Sequence, residues 1–100
     1  MHRGHAWLIN LDPTLGAEIK KTRPAMIVPI TDWKDHYNIA PWMVRLDPDA
    51  ENGLNKSSAA DVFQVRSVSQ QRFVRQLGTL SDPTMRRITQ ALAIVLNIEL

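Results

Sequence analysis

The chain has 100 residues, of which 44% are hydrophobic and 22% charged, a composition typical of one small globular domain (here residues 1–100) rather than a disordered chain. It has no cysteine, which excludes disulfides, thiolate metal sites and cysteine nucleophiles, and no apolar stretch long enough to cross a membrane. Twelve Lys and Arg against ten Asp and Glu give a net charge of only +2. The N-terminus lacks the apolar segment of a secretory signal, and we expect a cytoplasmic protein.

Short apolar or alternating segments, separated by turn residues, predict several strands. In chain order these segments are Ala6–Leu11, Ala25–Val28, Pro41–Leu46, Ala59–Val68 and Leu77–Leu80. In the first segment Trp7, Ile9 and Leu11 share one side, which we expect to face the core, and we expect the second segment to be a buried strand. The Asn52-Gly53 dipeptide, which is typical of hairpins, predicts a chain reversal before the fourth segment.

Two helices are predicted in the C-terminal third. The first begins after Ser69, a favourable N-cap, with Val68 and Phe73 spaced to form a hydrophobic staple. The second has Asp82 as its cap and Pro83 at its first position. Its apolar residues recur at helical spacing, at Met85, Ile88, Leu92 and Val95. Together, the elements indicate a small, strongly bent antiparallel sheet or half-open barrel with a helix packed on it.

The connection between the first two strands, residues 12–24, is rich in polar groups and is the first candidate for a functional site. Lys20, Lys21 and Arg23 place three cations within four residues, a density suited to a polyanion backbone. The following proline restricts Arg23, whose planar guanidinium suits phosphate oxygens. Glu18 is near enough in sequence to orient Arg23 or to accept a proton. The alternative is an ordinary surface loop in which Glu18 and Arg23 form a weak salt bridge.

Other polar and aromatic residues allow more than one interpretation. Five arginines and one acid lie between Arg66 and Arg87, a pattern compatible with phosphate partners or with a solvated helix face. Trp33 and Trp42 have the chemistry to stack on bases. We expect core packing for Trp42, whereas both roles stay open for Trp33. The histidines lack metal-ligand spacing, and no metal site is predicted from His2, His5 and His36.

Several motifs follow one another in a fixed order along essentially the whole chain. They are Arg3–Thr14, Gly16–Glu18 and Lys21–Ala25, then Val28–Thr31, then Glu51–Ser58 with Gln64–Val68, and finally Leu77–Leu80 with the last helix. Each motif alone is modest, but the ordered set strongly resembles the MazF/PemK/Kid family of toxins.

The resemblance implies an SH3-like barrel of the CcdB/PemK type with a C-terminal α-helix, usually a homodimer. It implies the toxin of a type II toxin–antitoxin system, a sequence-selective endoribonuclease acting on single-stranded mRNA. Cleavage in this family needs no metal or other cofactor, because the ribose 2′-OH attacks the adjacent phosphorus. The cognate antitoxin occupies the RNA groove, and we expect it to supply an acidic, partly disordered segment.

The resemblance also assigns site residues. The family's key arginine falls on Arg23, its threonine on Thr31 and its loop acid on Glu18. Arg23 and Thr31 would stabilise the negative charge of the phosphorane transition state. Glu18 is the better candidate for the general base, a role that requires burial to raise its pKa, because the guanidinium of arginine stays protonated. The residues expected to contact RNA are Lys20, Lys21, Ser57, Ser58, Asp61, Gln64 and Arg66.

One departure from the family pattern concerns an acid. The family often has Asp directly before the glutamine of its third motif, and Phe63 stands there in this chain. The nearest acid, Asp61, lies two residues earlier and would share a strand face with Phe63.

A second departure concerns chain length. Only seven residues separate Arg23 from Thr31, where the family has an additional strand and loop, and full extension would place the two about 26 Å apart. Either the site geometry has changed or a loop is missing from the sequence between Met26 and Pro29. We favour the missing loop, because both flanks keep the family pattern.

Two other functions remain alternatives. One is a non-enzymatic inhibitor of the same fold, similar to the CcdB-like gyrase poison. The other is an inactive family member that keeps RNA binding without turnover.

Overall fold

The computed structural model describes residues 3–11 and 24–99. Within these ranges the elements are β1 (His5–Ile9), β2 (Pro24–Ile27), β3 (Ile30–Asp32), β4 (Met43–Leu46), β5 (Ser58–Asp61), β6 (Arg66–Ser69), β7 (Phe73–Thr79) and α1 (Asp82–Val95). Short 3-10 turns lie at Asp35–Ile39, Val62–Gln64 and Gln70–Arg72.

The described strands form three small antiparallel sheets. β1 pairs with β7, and β2 pairs with β6. β5 lies between β3 and β4 in a three-stranded sheet, called the central sheet below. The prediction of a mainly β fold with a C-terminal helix is confirmed. The sheets of the described ranges do not close into a complete barrel.

The core lies between one face of the central sheet and α1. Val44 of β4 and Ala60 of β5 are register partners on this face, and both are buried. They pack with Val62, which is fully buried, and with Ile88 and Ala91 of the helix. The alternation of β4 and the helical spacing of α1 therefore meet in one apolar cluster.

Helix α1 is close to its predicted form. Its cap differs, because the hydroxyl of Ser81, not the carboxylate of Asp82, accepts the backbone N–H of Thr84 at 3.3 Å. Pro83 lies in the first turn, as predicted. The helix has 14 residues, and no helix in the described ranges has the length and apolar character needed to cross a membrane.

The continuous strand predicted over Ala59–Val68 is wrong, because a 3-10 turn separates β5 from β6. The backbone N–H of Val62 donates to the carbonyl oxygen of Trp42 at 3.0 Å, which takes this segment out of the strand. The turn interrupts the alternation of side chains. The expectation that Asp61 and Phe63 share a strand face therefore has no basis in the observed elements.

The prediction of a first helix after Ser69 is wrong, although its N-cap is present. The Ser69 hydroxyl accepts the N–H of Gln71 at 3.3 Å, but the turn that follows is a single 3-10 turn. Phe73 then begins β7, which pairs with β1 over its length. The local capping signal is real, and pairing with a distant strand overrides the helix that it predicts.

Three burial expectations are also wrong. Leu11 is 52% exposed, Met26 in β2 is 70% exposed, and Trp42 is 36% exposed. Leu11 lies beyond the end of β1, Met26 lies in a strand that pairs on one edge only among the described residues, and Trp42 packs against Phe63 outside the core cluster. In β1 the buried residue is Ala6, at 4% exposure.

Strands β2 and β3 are joined directly by Val28 and Pro29. Every residue of this stretch is described, and it contains no additional strand. Whether the sequence lacks a loop between Met26 and Pro29 stays a prediction.

Candidate nucleic-acid interface

A bulge projects from the chain where the central sheet meets the β2–β6 ribbon. The backbone N–H of Asp61 donates to the carbonyl oxygen of Pro29 at 2.9 Å, and Arg66 is the register partner of Ile27. On one strand only residue 28 lies between Ile27 and Pro29. On the other strand residues 62–65 lie between Asp61 and Arg66. The extra length is taken up by the 3-10 turn, which places Phe63 and Gln64 in solvent.

A row of side chains crosses the outer face of the central sheet. Thr31 of β3 and Arg45 of β4 are both register partners of Ala59 in β5. Paired residues of antiparallel strands point to the same face, and the adjacent Val44 and Ala60 point to the core. The hydroxyl of Thr31 and the guanidinium of Arg45 therefore start from one surface, with Cα atoms about 10 Å apart.

Arg45 is anchored at this surface by two contacts. Its Nε atom donates to Oδ1 of Asp47 at 3.0 Å, and its guanidinium lies 5.1 Å from the ring centroid of Trp33. The hydroxyl of Ser57 donates to the same Oδ1 atom at 2.9 Å. The guanidinium of Arg45 and then the hydroxyl of Ser57 hold the pKa of the exposed Asp47 carboxyl below its usual value.

Asp61 lies at the end of β5, beside the bulge. Its Oδ1 atom is buried and has no hydrogen-bond partner, which is costly for a carboxylate oxygen. Its backbone N–H donates to the carbonyl oxygen of Pro29, and this hydrogen bond fixes the backbone position from which the side chain extends. An unsatisfied acceptor of this kind suits a hydroxyl or amino donor supplied by a ligand.

The remaining described candidates differ in their availability. Gln64 and Arg66 are exposed. The hydroxyl of Ser57 is engaged by Asp47, and Ser58 is 5% exposed with its hydroxyl donating to the carbonyl oxygen of Lys56 at 3.0 Å. Ser58 thus has little free surface for RNA, and its predicted contact has no support in this geometry.

Four predicted residues, Glu18, Lys20, Lys21 and Arg23, lie outside the described residues. Sequence reasoning also missed Arg45. The alternation of β4 places it on the face opposite Val44 and Leu46, but this signal does not distinguish it from other surface arginines.

Comparison with known proteins identifies relatives. The sequence profile of the family described as PemK-like, MazF-like toxin of type II toxin-antitoxin system matches residues 2–96. Among curated proteins, the chain is 28% identical over 121 residues to endoribonuclease MazF9 of Mycobacterium tuberculosis, with 98% of each chain covered. That alignment is longer than this chain of 100 residues, so the relative has residues that this chain lacks.

Solved structures share the fold. An endoribonuclease in complex with its cognate antitoxin, from a mycobacterial species, superposes with a TM-score of 0.74 at 18% identity, covering 100% of this chain and 98% of that one. The Mycobacterium tuberculosis toxin MazF-mt6 superposes with a TM-score of 0.67 at 19% identity, covering 94% and 87%.

The molecule thus has the fold of a small β-rich domain with a C-terminal helix, which these solved structures share. The profile match spans nearly the whole sequence, and the chain belongs to the family of PemK-like, MazF-like toxins of type II toxin–antitoxin systems. The resemblance inferred from the ordered motifs is confirmed.

Proposed function

We propose that this chain is an endoribonuclease that cleaves single-stranded mRNA at selected sequences, without a metal ion, as the toxin of a toxin–antitoxin pair. Family membership over residues 2–96 is the observation that carries the proposal. The outer row from Thr31 to Arg45, with the exposed Gln64 and Arg66, supplies hydroxyl, amide and guanidinium groups suited to an RNA strand.

In the proposed reaction the 2′ oxygen of a ribose forms a bond to the adjacent phosphorus, and the bond from phosphorus to the 5′ oxygen breaks. The products are a 2′,3′-cyclic phosphate and a 5′-OH end. Glu18 takes the proton of the attacking hydroxyl, and a solvent water molecule supplies the proton to the leaving 5′ oxygen. Arg23 and Thr31 donate hydrogen bonds to the phosphorane oxygens, which carry more negative charge in the transition state than in the substrate.

The substrate is an unpaired strand, because the 2′-OH must rotate into line with the leaving oxygen. Lys20, Lys21 and Arg66 hold neighbouring phosphates. Gln64 and Ser57 offer hydrogen bonds to bases or sugars, and the unsatisfied carboxylate oxygen of Asp61 is an acceptor for a donor group of the strand.

The proposed partners follow from the same surface. The cations expected to contact RNA, Lys20, Lys21, Arg23 and Arg66, would attract an acidic segment of the cognate antitoxin, which would compete with RNA. We propose a homodimer, in which a second copy of the chain covers strand edges that have no partner within the described ranges, and we propose that it acts in the cytoplasm. Light scattering checks this state, since a dimer has twice the 11.4 kDa mass of the chain.

The test is cleavage of a long unstructured RNA by the purified protein in EDTA. We expect discrete fragments with 5′-OH ends from the wild-type protein and none from Arg23→Ala or Thr31→Val. Arg75→Ala is the matched control, because it removes an exposed arginine from β7 and should cleave normally. Loss of all wild-type cleavage in EDTA, with recovery on adding a divalent ion, would contradict the metal-free mechanism. Full activity of Arg23→Ala would contradict the site.

A further inference from the structure

Two aromatic side chains pair beside the bulge. The ring centroids of Trp42 and Phe63 lie 5.6 Å apart, with the ring planes at 57°. Trp42 is 36% exposed and Phe63 is 64% exposed, so both rings keep free surface. The hydrogen bond from the N–H of Val62 to the carbonyl oxygen of Trp42 fixes the two backbones together. The pair is thus held in place before any partner arrives.

The neighbours of this pair are polar. Phe63 lies between Asp61, with its unsatisfied carboxylate oxygen, and the exposed Gln64. Arg66 is exposed at the start of the following strand. Aromatic faces next to an amide and a guanidinium form the combination that binds single-stranded nucleic acids, in which bases stack and the cation follows the backbone.

The area of the pair is too small for a stable protein interface. The exposed parts of Trp42 and Phe63 together amount to on the order of 200 Å², given full side-chain areas of about 150–250 Å². A stable protein complex buries about 800 Å² on each partner. One nucleobase, in contrast, covers an area similar to that of a single aromatic ring.

We propose that Trp42 and Phe63 form a stacking platform for one base of the unpaired RNA strand, held at the bulge that follows β5. The inference rests on the proposed function and adds a base-binding subsite to it.

The test measures binding without turnover. Unpaired decamers of 2′-fluoro-RNA lack the attacking hydroxyl, so their affinity is measured by fluorescence anisotropy whether or not the protein cleaves RNA. Stacking of one base accounts for about a 5- to 150-fold change in affinity on alanine substitution. We expect Phe63→Ala to weaken binding within that range and Phe63→Trp to restore it. Ile98→Ala is the matched control, because it removes an exposed apolar side chain elsewhere, and its affinity should not change.

A second arm identifies the ligand group. An abasic nucleotide is moved through the decamer one position at a time. At the position that stacks, the abasic RNA should bind wild-type protein and Phe63→Ala equally, whereas at the other positions Phe63→Ala should remain weaker. A uniform deficit at every position would overturn the platform, since no single base would account for it.

The outcomes separate this inference from the proposed function. RNA cleavage with unchanged RNA affinity in Phe63→Ala would overturn the platform and leave the nuclease standing. Loss of self-association or of antitoxin binding in that variant, with RNA affinity unchanged, would assign the pair to a protein partner and overturn the platform. A wild-type protein that binds none of the decamers and cleaves no RNA would overturn both proposals.

Discussion

Thr31 and Arg45 lie on opposite sides of Ala59, each as its register partner, so their side chains leave the same face of the central sheet. The arrangement needs no direct contact between them. It follows from the antiparallel pairing of three short strands. On the opposite face of the same sheet, Val44 and Ala60 pack into the core.

This relationship predicts an electrostatic role for Arg45. Arg45→Ala should weaken the binding of unpaired RNA to a similar extent for all sequences and reduce the slope of log affinity against log salt by about 1. Asp47→Asn should have the opposite effect on affinity, because it frees the guanidinium from its ion pair. Salt titrations of both variants, with Arg75→Ala as control, check the prediction, and equal slopes in all three would contradict it.

The ion pair also predicts a titration. Hydrogen bonds from Arg45 and Ser57 lower the pKa of Asp47 in the folded state, so its stabilising contribution is present above the unfolded pKa and is lost as the pH falls through the folded pKa. Arg45→Ala should raise the pKa of Asp47 towards its ordinary value, as measured by NMR of the side-chain carboxyl. Arg66→Ala, which removes no hydrogen bond to Asp47, should leave it unchanged.

Core packing predicts the effect of a truncation in the bulge. Val62 is fully buried against the helix and sheet, so Val62→Ala should lower the free energy of unfolding by about 2 kcal/mol. Val74→Ala truncates the same residue type at 57% exposure and should change it by less than about 0.5 kcal/mol. Chemical denaturation of both variants measures the difference, and similar losses would show that the bulge is not anchored through Val62.

Alanine substitutions at two glycines distinguish the cost of backbone strain from the cost of steric overlap. Gly53 and Gly4 both have positive φ, at 72° and 91°. A Cβ atom at Gly53 would overlap the carbonyl oxygen of Leu77, whereas one at Gly4 would lie 3.6 Å from Cγ of Met85. Gly4→Ala should therefore cost about 1 kcal/mol, from backbone strain alone, and Gly53→Ala about 3 kcal/mol or more. Thermal unfolding would contradict this account if the two losses were equal.

The cap of α1 gives a prediction on which sequence and structure differ. Ser81→Ala should lower the free energy of unfolding by about 1 kcal/mol, because the N–H of Thr84 loses its acceptor. Asp82→Ala removes only a charge near the helix N-terminus and should cost about 0.3–1 kcal/mol. Urea denaturation at low salt distinguishes the two, and a larger loss for Asp82→Ala would restore the cap predicted from sequence.

The sequence predicted an element correctly where the residues that specify it lie within the element itself. Helix α1 was predicted to within one residue of its cap, because Pro83 and the apolar spacing act within the segment itself. The 3-10 turn after β5 was missed, because it depends on a hydrogen bond between Val62 and Trp42, twenty residues apart in sequence. The exposure of Trp42 follows from the same contact, which places the ring against Phe63 rather than against the core.

The site residues were also difficult to predict, because their roles depend on contacts between strands. Thr31 was identified only through the resemblance, since a lone threonine in a short strand carries no chemical signature. Arg45 was missed, because its importance depends on which strand lies beside β4, and the pairing through Ala59 cannot be inferred from alternation alone.

The position of Ala59 has a consequence for how the proposed RNA strand would lie on this face. Ala59 is fully buried, and backbone pairing on both sides of its strand sets the spacing between the Cα atoms of Thr31 and Arg45. A stacked strand advances about 3.4 Å per nucleotide, so the span of about 10 Å between the Cα atoms matches about three steps, from one nucleotide to the third after it. We therefore expect an RNA strand that follows this row to contact the two side chains through nucleotides about three steps apart.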